Sequence, residues 1–144
     1  MNTLDFIAHK YSLDLSAKSP IEIPNVGRDD LAHLFAELGF QAGAEIGVEQ
    51  GFYTEKLCKA NPTGIVYGVD AWQAYHGYRD HVSQSKLDGF YEDTLARLAG
   101  FPNCKLIRAF SMEAAYDFDD GALDWVYIDA NHELPSVIDD LVEW

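Results

Sequence analysis

Basic residues are scarce. The 144-residue chain has 10 Lys and Arg against 24 Asp and Glu, for a formal net charge of −14. That balance argues against duplex or single-stranded nucleic acid as a partner, because phosphate binding needs Lys and Arg to displace counterions. It argues equally against an anionic membrane surface. Cysteine is almost missing: Cys58 and Cys104 cannot make a disulfide framework, and two free thiols in a reducing cytoplasm are the expectation. No apolar run approaches the roughly 18 residues of a membrane span. Met1 to Lys10 carries neither a basic stretch nor a long apolar core, so no signal peptide is expected. After Arg108 there is no Lys or Arg at all, while Glu113, Asp117, Asp119, Asp120, Asp124, Asp129, Glu133, Asp139, Asp140 and Glu143 follow. One reading is a solvated acidic face; the other is that the balancing basic residues lie in sequence not present here.

What is present suffices for a core. Hydrophobic residues make up 48% of the chain, and the length fits one domain. Residues 1–27 form an N-terminal segment with the hint of a short helix at Leu4, Phe6, Ile7 and Tyr11. Leu31, Leu34, Phe35 and Leu38 fall on one face of a helix over Asp29–Leu38, with Asp29 as its cap and Gly39 just past its end. From there the rhythm alternates. Strands are expected at Ala44–Val48, Ile65–Val69, Lys105–Ala109 and Leu123–Ile128. Helices are expected at Phe52–Ala60, Phe90–Ala99, Ser111–Tyr116 (Ser111 as cap) and from Pro135 onward, where Val137, Ile138, Leu141 and Val142 make an apolar stripe. Apolar strands alternating with helices imply an α/β fold, a parallel sheet with helices on both faces. The last helix reaches Trp144 with no Gly, Asn or Pro to stop it, and four strands are few for such a sheet. Both features suggest the N-terminal part of a longer domain.

The strongest local signal is Glu45-Ile46-Gly47-Val48-Glu49-Gln50-Gly51, which joins the first strand to the following helix. Ligands of open α/β sheets bind at the carboxyl ends of the strands. A nicotinamide fingerprint would read G-x-G-x-x-G, whereas Gly47 and Gly51 are spaced G-x-x-x-G and Glu49 stands where the second glycine would face a pyrophosphate. Like charges there repel by about 1 kcal/mol per pair at ~4 Å even in water. A Walker loop is excluded because no Gly-Lys-Ser/Thr occurs. Two carboxylates in this turn suit a ligand without phosphate that carries positive charge, and S-adenosylmethionine, with its sulfonium and ammonium groups, meets that description. An NAD-dependent oxidoreductase is the rival cofactor reading, and Asp70, at the end of the second strand, does not discriminate between the two.

The run resembles the first motif of class I S-adenosylmethionine-dependent methyltransferases, acidic-x-Gly-x-Gly-x-Gly, with Glu49 in place of the middle glycine. It looks most like the small-molecule branch reading Glu-Ile-Gly-Val…Gly…Thr, here through Thr54. The resemblance covers about residues 28–144. It implies a Rossmann-like sheet of strand order 3-2-1-4 whose later strands are absent, leaving the fourth strand at an edge. It also implies a cofactor site formed by Glu45, Gly47, Gly51, Asp70, Trp72 and Ser111. Asp70, ending Val66-Tyr67-Gly68-Val69-Asp70, would accept both ribose hydroxyls; Trp72 would wall the adenine, and Ser111 would contact it. The aromatic stretch Trp72, Tyr75, His76, Tyr78 and His81 reads as a stacking wall, as a lid, or as rings packed under a long loop. The run Asp124 to His132 resembles the fourth motif of the family. It places Asp129 beside the transferring methyl group, with Mg²⁺ or another divalent metal as a further ligand of that carboxylate, and gives His132 as a general base. The function implied is methyl transfer to a small-molecule hydroxyl, for instance of a sugar. A non-catalytic binding module that keeps the cofactor pocket is the alternative, and a homo-oligomer paired through the fourth strand is a further expectation.

Overall fold

The computed structural model describes residues 2–75 and 83–144; His76, Tyr78 and His81 fall outside the described residues. Ten elements follow one another: α1 (Thr3–Tyr11), α2 (Arg28–Glu37), β1 (Ala42–Ile46), α3 (Phe52–Ala60), β2 (Ile65–Asp70), α4 (Gln84–Leu98), β3 (Cys104–Arg108), α5 (Ser111–Ala115), β4 (Trp125–Ile128) and α6 (Leu134–Glu143). The four strands form one parallel sheet in the order β3-β2-β1-β4, as expected. Among the described residues no helix is long and apolar enough to cross a membrane.

Strand alternation sorts the side chains into two cores. One, between the sheet and α2/α3, holds Ala32, Phe35, Tyr53, Leu57, Cys58, Val66 and Trp125. The other, toward α5, holds Ala44, Ile46, Val69 and Ala114, with Val126, Ile128 and Trp144 packed against them. Gly43 is a packing requirement of the first: a Cβ there would lie 1.9 Å from Trp125 Cε2. Its absence lets the Trp125 indole lie across β1 and stack on Phe35, with ring centroids 4.4 Å apart. Asn61 ties α2 to α3, its side-chain N–H donating to the carbonyls of Ala32 and Leu57.

Several local expectations are corrected. Gly27, not Asp29, precedes α2; the Asp30 carboxylate accepts the Gly27 N–H at 2.8 Å, and Asp29 instead pairs with Lys56 on α3. α4 begins at Gln84, six residues before the expected start, because Ser83 caps it by accepting the Lys86 N–H. Its first turns are polar and carry no apolar stripe to reveal them. Ser111 is the first residue of α5 rather than its cap. α6 departs furthest from expectation: Leu134, Ile138, Leu141 and Val142 face outward, and Asp140 is its buried residue. β4 pairs with β1 alone among the described residues, so it is the sheet's edge. Lys10 of α1 pairs with Glu37 of α2 at 2.5 Å.

Candidate functional site

The carboxyl ends of β1, β2 and β4 open into a cleft of about 920 Å³, lined by the β1–α3 turn, residues 69–73, Ala109–Met112 and Asp129–His132. The turn is shaped from below. Gly47 takes φ 97°, its N–H donates to the Val69 carbonyl at 2.9 Å, and a Cβ there would meet the Asp129 carbonyl oxygen at 2.3 Å. Any side chain would therefore wedge β1 away from β4. Glu49 also sits in the left-handed region, at φ 54°. The glycine that Glu49 replaces in the family pattern thus answers a backbone need, and the substitution stores strain of the order of ~1 kcal/mol. Neighbours hold it there. Its carbonyl accepts from Trp72 Nε1 at 2.7 Å and Thr94 Oγ1 at 3.0 Å, and the Gln50 carbonyl accepts from Arg97 Nε at 3.0 Å.

Asp70 is the keystone of the turn. Its Oδ2 accepts the N–H groups of Val48 (3.0 Å) and Glu49 (2.9 Å), and its Oδ1 accepts that of Trp72 (2.8 Å). A carboxylate offers about four lone-pair sites. Three are occupied, which leaves one open on Oδ1.

Glu45 points the other way, into the protein. It is 2% exposed and accepts a short hydrogen bond from the Thr54 hydroxyl. Burial pushes its carboxyl up to about 8, and the Asp129 charge adds to the rise, while the Thr54 bond and Arg28 oppose it. At neutral pH the group is therefore mostly protonated, and the residue is among those lining the cleft. Of the two carboxylates expected at this turn, the buried one has its charge held back. Glu49, the other, is solvent-exposed.

Trp72 does not present the open ring face expected of an adenine wall. It is 1% exposed, packs against Tyr91 with centroids 4.8 Å apart, and supports the turn through its indole N–H. Ser111 does reach the cleft, and its hydroxyl donates to the buried Asp140 carboxylate of α6 at 2.5 Å. Tyr75 spans the cleft rim: its hydroxyl accepts from Asn131 Nδ2 at 2.9 Å.

Asp129 ends β4 opposite the Gly47 turn. Its Oδ1 lies 3.1 Å from His132 Nε2 and its Oδ2 lies 3.9 Å from the Arg28 guanidinium, itself seated over the Tyr53 ring. The neighbours of this carboxylate are basic groups, and no cluster of three or more His, Cys, Asp or Glu able to hold a metal occurs among the described residues. The expected divalent metal therefore does not fit the described residues.

Sequence reasoning missed Asp140, Arg28, Thr94 and the turn-holding role of Trp72. Asp140 sits inside an apolar stripe, and the others act across the fold through backbone carbonyls or from a helix start. Only Thr54 carried a signal, as the end of the first motif.

Comparisons with known proteins agree with this geometry. No curated protein matches the chain. Among solved structures, the O-methyltransferase TomG from Streptomyces achromogenes, involved in tomaymycin synthesis and bound to SAM, superposes with a TM-score of 0.60 at 20% identity, over 99% of this chain and 59% of that one. An O-methyltransferase from Bacillus cereus in complex with SAH gives a TM-score of 0.52 at 16% identity, over 89% of this chain and 52% of that one. At such identities the likeness shows the fold, and the chain spans little more than half the length of either structure. The sequence is decisive for the family: the family model described as a methyltransferase domain, Methyltransf_24, matches residues 44–144, from β1 to the end. The chain belongs to that methyltransferase family and carries its class I Rossmann-like fold.

Proposed function

We propose that this chain binds S-adenosylmethionine across the carboxyl ends of β1 and β2 and directs its methyl group to a hydroxyl of a small molecule at the β4 end. The carrying observation is the cleft at Gly47–Gly51, where a pinned turn and the buried Glu45 meet Asp129, itself clamped by Arg28 and His132. A cation entering this space finds acidic groups on three strands. Its ammonium would restore the solvation that Glu45 lost on burial and draw off the Glu45 proton. Asp70 would take one ribose hydroxyl while it continues to hold the turn.

The sulfonium is already activated, so the protein's task is alignment of acceptor oxygen, methyl carbon and sulfur in one line. The oxygen attacks the methyl carbon, the carbon–sulfur bond breaks, and its electron pair stays on sulfur as the neutral thioether. The hydroxyl proton passes to His132. In the tautomer whose Nε2–H donates to Asp129, Nδ1 is free to accept it, and Asp129 steadies the imidazolium. His132 is 78% exposed at the cleft rim, where a proton can leave to solvent.

A binding module without turnover is the second reading, favoured by the outward apolar residues of α6 beside the open edge of β4, next to the acceptor end. Titration calorimetry with S-adenosylhomocysteine and with NAD tests the cofactor half. Binding of the first and not the second is expected, and the reverse would overturn it. Methyl transfer that disappears in His132→Ala while S-adenosylhomocysteine affinity is kept would separate the enzyme from the module.

A further inference from the structure

Arg28 is a cation in a cleft of acidic residues, and the reaction above leaves its donors unused. Among the described residues, Lys86 is the other Lys or Arg that lines the cleft, and it sits over the Phe90 ring on α4. Arg28 is held at both ends. Its carbonyl accepts the Tyr53 hydroxyl at 2.6 Å, and its guanidinium lies over the same ring, 5.1 Å from the centroid. The carboxylates around it are engaged by other donors: Asp29 by Lys56 at 2.7 Å, Asp30 by the Gly27 N–H at 2.8 Å, and Asp129 Oδ1 by His132 at 3.1 Å. Arg28 Nη1 comes within 3.9 Å of Asp129 Oδ2, close enough for charge attraction and too far for a hydrogen bond. A guanidinium carries five N–H donors in a planar fork that matches a carboxylate. Here packing on Tyr53 places the fork before any ligand arrives, with more than half of the side chain still exposed.

We propose that Arg28 is the anion receptor for the methyl acceptor, so that the substrate is a small hydroxy acid with its carboxylate on Arg28 and its hydroxyl at His132. The inference rests on the reading of the acceptor end given above and adds the substrate class that reading lacks. Arg28 and His132 approach opposite oxygens of one carboxylate, Asp129, at 3.9 and 3.1 Å. The two basic groups are therefore only a small molecule apart, and one ring or short chain reaches both. A carboxylate gripped by two parallel N–H donors is fixed in orientation as well as position. That grip limits where the hydroxyl can go and favours its alignment with the methyl carbon. Charge selects a carboxylate over a phosphate. Asp129 and the other acidic residues of the cleft repel a second negative charge on the ligand. The cofactor's own amino-acid carboxylate is the other anion within reach of this end, and the test separates the two sources.

The test is a ligand-observed NMR titration of the whole chain saturated with S-adenosylhomocysteine. The probes are the three hydroxybenzoates and short aliphatic hydroxy acids, each beside its uncharged carboxamide. At least one acid is expected to bind roughly ten- to a hundredfold more tightly than its amide, the range of a hydrogen-bonded charge pair. Arg28→Met keeps a flexible stem on the Tyr53 ring and removes the charge. In it the acid weakens to the level of its amide while the amide is unchanged, a loss that damage to the fold would not confine to the acid. Should Arg28→Met not fold, Arg28→Lys decides, since it keeps the charge without the fork and an intermediate preference is expected. Absence of binding by every acid, equal affinity of each acid and its amide, or an undiminished preference in the variants would overturn the inference and leave the cofactor reading standing. So would a fall in S-adenosylhomocysteine affinity with the acid preference unaltered, which would assign Arg28 to the cofactor's carboxylate. Failure of S-adenosylhomocysteine to bind the wild-type chain would overturn both.

Discussion

β1 has β2 on one flank and β4 on the other, and the two flanks are finished to different degrees. Toward β2, the Val48–Gly51 turn has partners for its N–H and C=O groups in Asp70, Trp72, Thr94 and Arg97, which come from two other parts of the chain, the end of β2 and α4. Toward β4, the sheet stops at a strand of four residues, and the helix that follows turns Leu134, Leu141 and Val142 to the outside. A polar group buried without a partner costs more than an apolar group left in water. The β2 flank is thus satisfied within the described residues, whereas the β4 flank displays surface of the kind that folds usually cover.

The sharpest way to break the contrast is Gly47→Val. The added side chain meets the Asp129 carbonyl and must adopt φ 97°, so overpacking and backbone strain add to a loss of about 3–5 kcal/mol, read from the denaturant midpoint. A variant of unchanged midpoint would mean that β1 and β4 are not held together at this point. Asp70→Ala comes next. Three N–H groups lose their acceptor, and a loss of roughly 2–3 kcal/mol in stability is expected, together with weaker S-adenosylhomocysteine binding. If affinity alone fell, the carboxylate would serve the ligand and not the turn.

Glu45 gives a pH signature to the same flank. Its folded carboxyl titrates at about 8, above the ordinary value, because of burial. Below the unfolded value of about 4.3 it is protonated in both states and costs nothing. Between there and the folded value only the unfolded chain ionises, so stability falls as pH rises, by up to roughly 1.4 kcal/mol per unit. Glu45→Gln removes this contribution, and the difference between the two stability–pH curves isolates it from the other carboxylates. Parallel curves would mean that Glu45 is charged in the folded chain. On the open flank the smallest effect is expected: Leu141→Glu should move the midpoint by no more than about 0.5 kcal/mol, since that side chain already faces water. It should also lower any concentration-dependent association seen by sedimentation, which a buried Leu141 would not do.

The two flanks also differ in how far they were legible. The alternation of strands and helices and the Glu45–Gly51 turn are legible in local sequence, because apolar runs alternate with helical stripes and each glycine of the turn sits where the backbone needs it, whereas the strand order comes from the family resemblance. Gly47 and Gly51 have φ of 97° and 75°. Trp72 was read as a ligand wall because an aromatic two residues past a strand end has no local feature to show that its N–H meets a carbonyl 23 residues earlier. Ser111 was read as a cap for the same reason: its partner lies 29 residues away. On α6 periodicity misled outright. An apolar stripe predicts a buried face, but the prediction supposes that something is there to bury it, and the helix instead buries the one carboxylate that has a hydroxyl to meet. Asp129 and His132 are marked by motif and lie 3.1 Å apart; the metal is implied by the family alone, and no ligand cluster for it occurs among the described residues.

The position of Trp72 turns the protein into its own optical probe. Three indoles are distributed over three regions: Trp125 stacks on Phe35 within the α2/α3 core, Trp144 packs near Phe118 beside α6, and Trp72 lies under the turn with its N–H on the Glu49 carbonyl. Indole emission responds to the field of nearby dipoles, so a cation settling on that turn would shift the Trp72 contribution and leave the other two in place. With Trp125 and Trp144 replaced by Phe, the remaining emission would report occupancy of the cleft directly, in real time and without a label.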